Sequence, residues 1–273
     1  MTQKIKLIVA IDLLFIFILG ISGSMKNSAL SNTVYYLAFL IPSFIGYVFI
    51  TKSLSPVGTI RDHFATIRDF GLNKKGATFA LPLIAPEIAI VASVSVITSA
   101  LMSLMGKTNV QSFDDPFIYA VFIHALLPAM LEELLFRYVP IKLLSENKKC
   151  AVILSSLMFA FAHVNVFQIP HAFIAGLIFA FVYISTESII PTVAMHFFNN
   201  LVSLITIYYP NEYWLFVSFA IILIISLVFL FIKRDVYKKA VKAIISSDKP
   251  AIGYTPLILV LISLLLAIPA LFA

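Results

Sequence analysis

The sequence predicts an all-α protein, a polytopic transmembrane helical bundle of about 8–9 spans. Three observations carry that prediction. Of the 273 residues, 61% are hydrophobic and only 12% are charged, with a mean hydropathy of +1.04. A soluble domain is usually about 45–50% apolar and about 25% charged, so a chain this apolar could not cover its surface in water. About nine apolar stretches approach or reach spanning length. The basic residues are concentrated in alternate connections between those stretches, as the positive-inside pattern requires.

The stretches run over 5–23, 33–50, 78–105, 116–138, 150–167, 171–187, 189–208, 213–232 and 255–272. The first follows Lys4 and Lys6, lacks a clear small-residue cleavage site, and reads as a retained span rather than a signal peptide. The third exceeds bilayer thickness and carries Pro82 and Pro86, which predict a tilt or a break. Asp12, near the end of the first span, is expected to snorkel. Lys4 and Lys6 place the N-terminus in the cytoplasm, Asp114 and Asp115 fall outside, and Arg137 through Lys149 return inside. The turn 208–214 is outside, and Lys233, Arg234, Lys238, Lys239 and Lys242 are inside, which leaves the C-terminus outside. Segment 55–75 interleaves Ile60, Phe64, Ile67 and Phe70 with Arg and Asp, the pattern of an interfacial amphipathic helix. No internal repeat is evident, so residues 1–273 form one membrane domain.

The net charge of +6 is distributed as loop charge beside anionic lipid, so the partner it implies is a lipid bilayer and not nucleic acid. Cys150 is the only cysteine and excludes an internal disulfide. It follows Lys148 and Lys149 at the cytoplasmic face and reads as a small interfacial residue.

Polar side chains at depth cost a few kcal/mol each and need a partner or a role. Three clusters stand out. Glu133 and Arg137 are four apart and share a helix face, so they can pair. Glu132 points about 100° away and is left free. Phe159 and His163 stand one turn apart on the fifth stretch. His196 and Asn200 are again four apart on one face, while Asn199, about 100° around, is not expected to join them. A free carboxylate, two histidines and an amide on three spans can activate a water and stabilise an oxyanion. Convergence carries a geometric condition. His163 lies about 14 residues beyond Lys149, roughly 21 Å at 1.5 Å per residue, whereas Glu132 and His196 stand about 8–10 residues from their inner ends. The fifth span must therefore tilt or start outside the bilayer. His124 sits four before Pro128 at an expected kink, in a structural role. Glu87, beside Pro86, is a candidate for the same cavity wall. His171, after Pro170, is expected to cap the sixth span.

This ordered set resembles the CAAX-protease and bacteriocin-processing family, bacterial relatives of the eukaryotic CaaX prenyl-protein endopeptidase. The resemblance rests on Glu132, Glu133 and Arg137, then Phe159 and His163, then His196 and Asn200, within a catalytic core over 116–208. Tyr138 departs from the pattern, since many relatives carry glycine there. The resemblance implies hydrolysis of a peptide bond in a membrane-associated protein or peptide substrate. It implies catalytic roles for Glu132, Glu133, Arg137, His163, His196 and Asn200, with Glu132 as base toward water. A cofactor-free glutamic peptidase is the favoured form. A Zn²⁺ site on Glu132, His163 and His196 is the alternative. A non-catalytic scaffold regulating a sensor kinase or a peptide-immunity system is the rival from another class, and a solute transporter a second, though without the repeated halves expected of one. A bacterial plasma membrane is the expected location by analogy.

Overall fold

A computed structural model describes residues 2–25, 28–51, 74–108 and 114–246. Nine helices make up the described chain: α1 (Thr2–Ser24), α2 (Ser28–Thr51), α3 (Lys74–Leu104), α4 (Phe117–Leu143), α5 (Lys148–Ala162), α6 (Ile169–Thr186), α7 (Ile190–Tyr208), α8 (Tyr213–Ile232) and α9 (Arg234–Ile245). No strand occurs among the described residues. The predicted interfacial segment over 55–75, all but its last two positions, and the ninth stretch over 255–272 lie outside the described residues.

Seven of the helices, α1 to α4 and α6 to α8, are long and apolar enough to cross a membrane. The chain is thus a multi-pass membrane protein with the all-α bundle architecture its composition predicts. The fifth stretch differs. Its helix, Lys148–Ala162, has only 15 residues, about 22 Å at 1.5 Å per residue, short of a hydrocarbon core of about 30 Å. Asn147 caps its start by accepting from the Cys150 amide at 3.0 Å. It ends at Ala162, and Val164 adopts φ of 46°, a left-handed conformation unusual for a β-branched residue. The helix stops there, and the chain turns back through 163–168 into α6.

Close packing of α5 on α6 rests on small residues. Gly176 faces Ser156 so tightly that an added Cβ would lie 3.0 Å from the Ser156 Cα. Small residues at such crossings let helix backbones approach where lipid supplies no hydrophobic drive.

Two ends of the bundle are defined by contacts. At one, Lys4 Nζ pairs with Glu146 at 3.0 Å, and the Tyr237 hydroxyl donates to the Phe79 carbonyl at 2.9 Å. These bonds join the start of α1 to the α4–α5 turn and α9 to the start of α3. At the other end the Tyr208 hydroxyl donates to the Asp115 carbonyl at 2.6 Å, joining the end of α7 to the start of α4.

α4 is irregular where its prolines fall. Residues Val121–Leu126 and Leu134–Tyr138 are wound as π-helix. Pro128 and Pro140 each lack the N–H that an α-helix needs four residues on. The expected kink before Pro128 is thus a π-helical turn containing His124. The Phe136 carbonyl, which Pro140 cannot satisfy in α geometry, accepts from the Ser155 hydroxyl of α5 at 2.6 Å. Both residues are fully buried.

Candidate functional site

The seven-residue α-helical piece Leu127–Glu133 between those π-helical turns carries the glutamate pair. Glu133 and Arg137 are fully buried, and the Arg137 Nε lies 3.4 Å from Glu133 Oε2, as the spacing of four predicts. The other oxygen of Glu133 accepts from His196 Nδ1 at 3.0 Å. Glu132 lies on the opposite side of the same imidazole, its Oε2 3.8 Å from His196 Nε2. That separation is too long for a direct hydrogen bond, and Glu132 Oε2 has no hydrogen-bond partner among the described residues. The carboxylate expected to be free from helix geometry is not paired with Arg137, and it stands against His196.

Phe159 organises the rest. Arg137 Cζ sits 4.3 Å from the centre of its ring, an arrangement in which the ring face attracts the cation. The rings of His163 and His196 meet it edge-on at 5.0 and 5.3 Å. Phe179 of α6 stacks on His196 at 5.2 Å and 27°. Sequence reasoning missed Phe179, because an aromatic in an apolar span carries no distinguishing signal.

His163 caps the C-terminal end of α5, and its Nδ1 donates to the Phe159 carbonyl at 2.8 Å. A carbonyl only accepts, so Nδ1 carries the proton and the neutral ring keeps a lone pair on Nε2.

Glu132, His163, His196 and Asn200 line one cavity of about 1010 Å³. The three sequence clusters therefore converge. The fifth stretch reaches the site as a short helix that ends there, and α4 continues to Leu143, which sets Glu132 about 11 residues from its end, roughly 16 Å. Asn199 also lines the cavity, against the helical-face expectation. An opening this wide takes in both neighbours. Glu133 and Arg137 stand behind the wall.

The remaining polar residues fall as follows. His124 lines the cavity and lies 3.4 Å from Asp115. His171 is in the first turn of α6, also on the cavity, with Nδ1 buried. Glu87 is only 1% exposed, and its neighbours Ile88 and Val91 face the cavity in its place. Neither Glu87 oxygen has a hydrogen-bond partner among the described residues. Asp12 is buried in mid-α1 and does not snorkel. Cys150 is buried at the start of α5, not exposed at the interface.

Among the described residues no three His, Cys, Asp or Glu side chains are grouped so as to hold a metal ion. His196 Nδ1 is committed to Glu133 and His163 Nδ1 to a carbonyl, which leaves the Nε2 of each ring for the cavity.

Residues 114–202, about a third of the chain, match the family described as Type II CAAX prenyl endopeptidase Rce1-like. No curated protein and no solved structure matches the chain significantly. The matched segment contains every residue of the three clusters and runs from the turn before α4 into α7.

Proposed function

We propose that this membrane protein, whose segment 114–202 is of the Rce1-like type II CAAX prenyl endopeptidase family, is an intramembrane endopeptidase in which Glu132 activates the hydrolytic water. The observation that carries the reading is the pair of unlike carboxylates around His196. Glu133 is fully buried, ion-paired with Arg137 and hydrogen-bonded to His196 Nδ1, whereas Glu132 borders the cavity and touches His196 only through the longer 3.8 Å contact with Nε2.

In the proposed reaction a water held between Glu132 and the Nε2 of His163 loses a proton to Glu132 as its oxygen attacks the peptide carbonyl carbon. The carbonyl π pair moves to oxygen. His196 Nε2, when protonated, and the Asn200 amide donate to that oxyanion. Collapse of the tetrahedral intermediate breaks the C–N bond, and Glu132 returns its proton to the leaving nitrogen. Glu133 and Arg137 position His196. Arg137 offsets the buried carboxylate, and Glu133 fixes the imidazole tautomer.

The test is cleavage of a panel of short membrane-associated peptides by purified protein in detergent. Wild type is compared with Glu132→Gln at matched folding. Cleavage that vanishes in the variant supports the reading. Equal cleavage removes Glu132 from the base role, and no cleavage by either protein favours a non-catalytic scaffold. Activity lost on chelation and rescued by Zn²⁺ would overturn the cofactor-free form.

A further inference from the structure

We infer that the cavity admits its substrate from the extracytoplasmic side, so that the substrate is a peptide segment already translocated or anchored at the outer leaflet. The substrate part of this rests on the peptidase reading above; the direction of access does not.

The bundle has two ends of opposite character. The end fixed by the Lys4–Glu146 pair also carries Lys142, Lys148, Lys149, Lys238 and Lys239. The other end, fixed by the Tyr208–Asp115 bond, carries Asp114, Asp115 and Glu212 beside Lys107. Lysine and arginine are retained on the cytoplasmic side of a bacterial membrane, which makes the second end extracytoplasmic.

The cavity opens at that second end. Its lining includes Asp115 and Tyr119 at the start of α4, Ile207 at the end of α7, Phe216 at the start of α8, Asn32 near the start of α2 and Ser99 near the end of α3. All six stand at or toward the helix ends on the acidic side. None of the lysines of the basic end lines it.

Toward the basic end the site is closed. Leu135, Phe136, Val139, Phe179, Val182 and Met195 are at most 1% exposed and belong to one packed core. Arg137, fully buried against Phe159, stands on the same side. A peptide reaching Glu132 from the cytoplasm would have to part that core, whereas the route from the acidic end already exists.

The single native cysteine makes a direct test available. In a Cys150→Ser background, Ser99→Cys and Ser203→Cys place thiols on the cavity wall, and Lys239→Cys places one on the basic end. Both cavity changes are near-isosteric, and each variant is carried forward only where peptide cleavage survives or, lacking a cleaved peptide, where it elutes as a single folded species. Intact spheroplasts are treated with a membrane-impermeant methanethiosulfonate, then opened and treated again. The inference expects both cavity thiols to react in intact spheroplasts and Lys239→Cys to react only after opening. It also expects the reacted cavity thiols to lose peptide cleavage, because the adduct fills the route. Cavity thiols that react only after opening, together with Lys239→Cys, overturn it, as does Lys239→Cys reacting alone in intact spheroplasts. Correct labelling without cleavage of any peptide would leave access standing and count against the peptidase. Glu132-dependent cleavage with labelling from the basic side would do the reverse.

Discussion

Glu132 and Glu133 differ by one position in sequence and by everything that surrounds them. Glu133 is fully buried, with Arg137 at 3.4 Å and His196 at 3.0 Å. Glu132 meets only one side of the imidazole, at 3.8 Å. The two should therefore fail differently when changed. Glu132→Gln keeps size and polarity and removes the proposed base, so cleavage should fall by about 10²–10⁴-fold with the thermal midpoint unchanged. Arg137→Ala leaves Glu133 buried without its counter-charge and empties the space against Phe159. Removing one partner of a buried pair costs about 3–5 kcal/mol, so this variant should lose folded protein before any kinetic effect can be read. Parallel melting curves and cleavage rates distinguish the two, and a Glu132→Gln protein that melts far below wild type would assign that carboxylate a structural role.

At the scale of elements, the site depends on how α4 and α5 are held. Ser155 supplies the hydrogen bond that Pro140 denies to the Phe136 carbonyl. Ser155→Ala removes a hydrogen bond to that buried carbonyl, at a cost of about 1–3 kcal/mol, and should lower the melting temperature while leaving the cavity side chains intact. Gly176→Ala acts from the other face. Its Cβ would meet the Ser156 Cα at 3.0 Å and Cβ at 3.1 Å. Backbone there cannot yield as a side-chain tip would, so α5 must move from α6 at a cost of about 1–3 kcal/mol. Because α5 ends in His163, the movement should reduce cleavage more than Ser155→Ala does at equal loss of stability. Equal activity losses would show that the α5–α6 spacing does not set the site. These details also mark what the sequence could convey. Spacings of four made the Glu133–Arg137 pair legible, because helical periodicity alone puts those residues together. The same rule could not show that Glu133 also binds His196, 63 residues away, nor that Phe179 stacks on it. Pro128 announced a disturbance near His124, but not that α4 would absorb it as a π-helical turn. The fifth stretch reads as a span from composition. Its early end, with Val164 in a left-handed conformation, is set by tertiary packing that no local pattern encodes.

For the whole molecule, the governing quantity is the depth of the site relative to its mouth. Glu132 stands roughly 15 residues below Phe117, about 22 Å along α4 at 1.5 Å per residue. A cavity of about 1010 Å³ is of the size that holds a small ligand or a short extended peptide, and far too small for a folded domain. An extended chain covers about 3.3–3.6 Å per residue, so about seven unfolded residues must separate a folded domain from the bond that reaches Glu132. A peptide cleaved by the purified protein, fused behind a stable soluble domain through linkers of increasing length, should show a threshold. Fusions with about three intervening residues should resist cleavage, and those with about ten should be cut at close to the rate of the free peptide. The comparison should be run with a flexible Gly/Ser linker, whose conformational freedom adds no stiffness of its own. A rate independent of linker length would mean that substrate reaches Glu132 by a shorter route than the cavity, and a threshold well beyond ten residues would mean that the mouth lies farther out than the turn before α4.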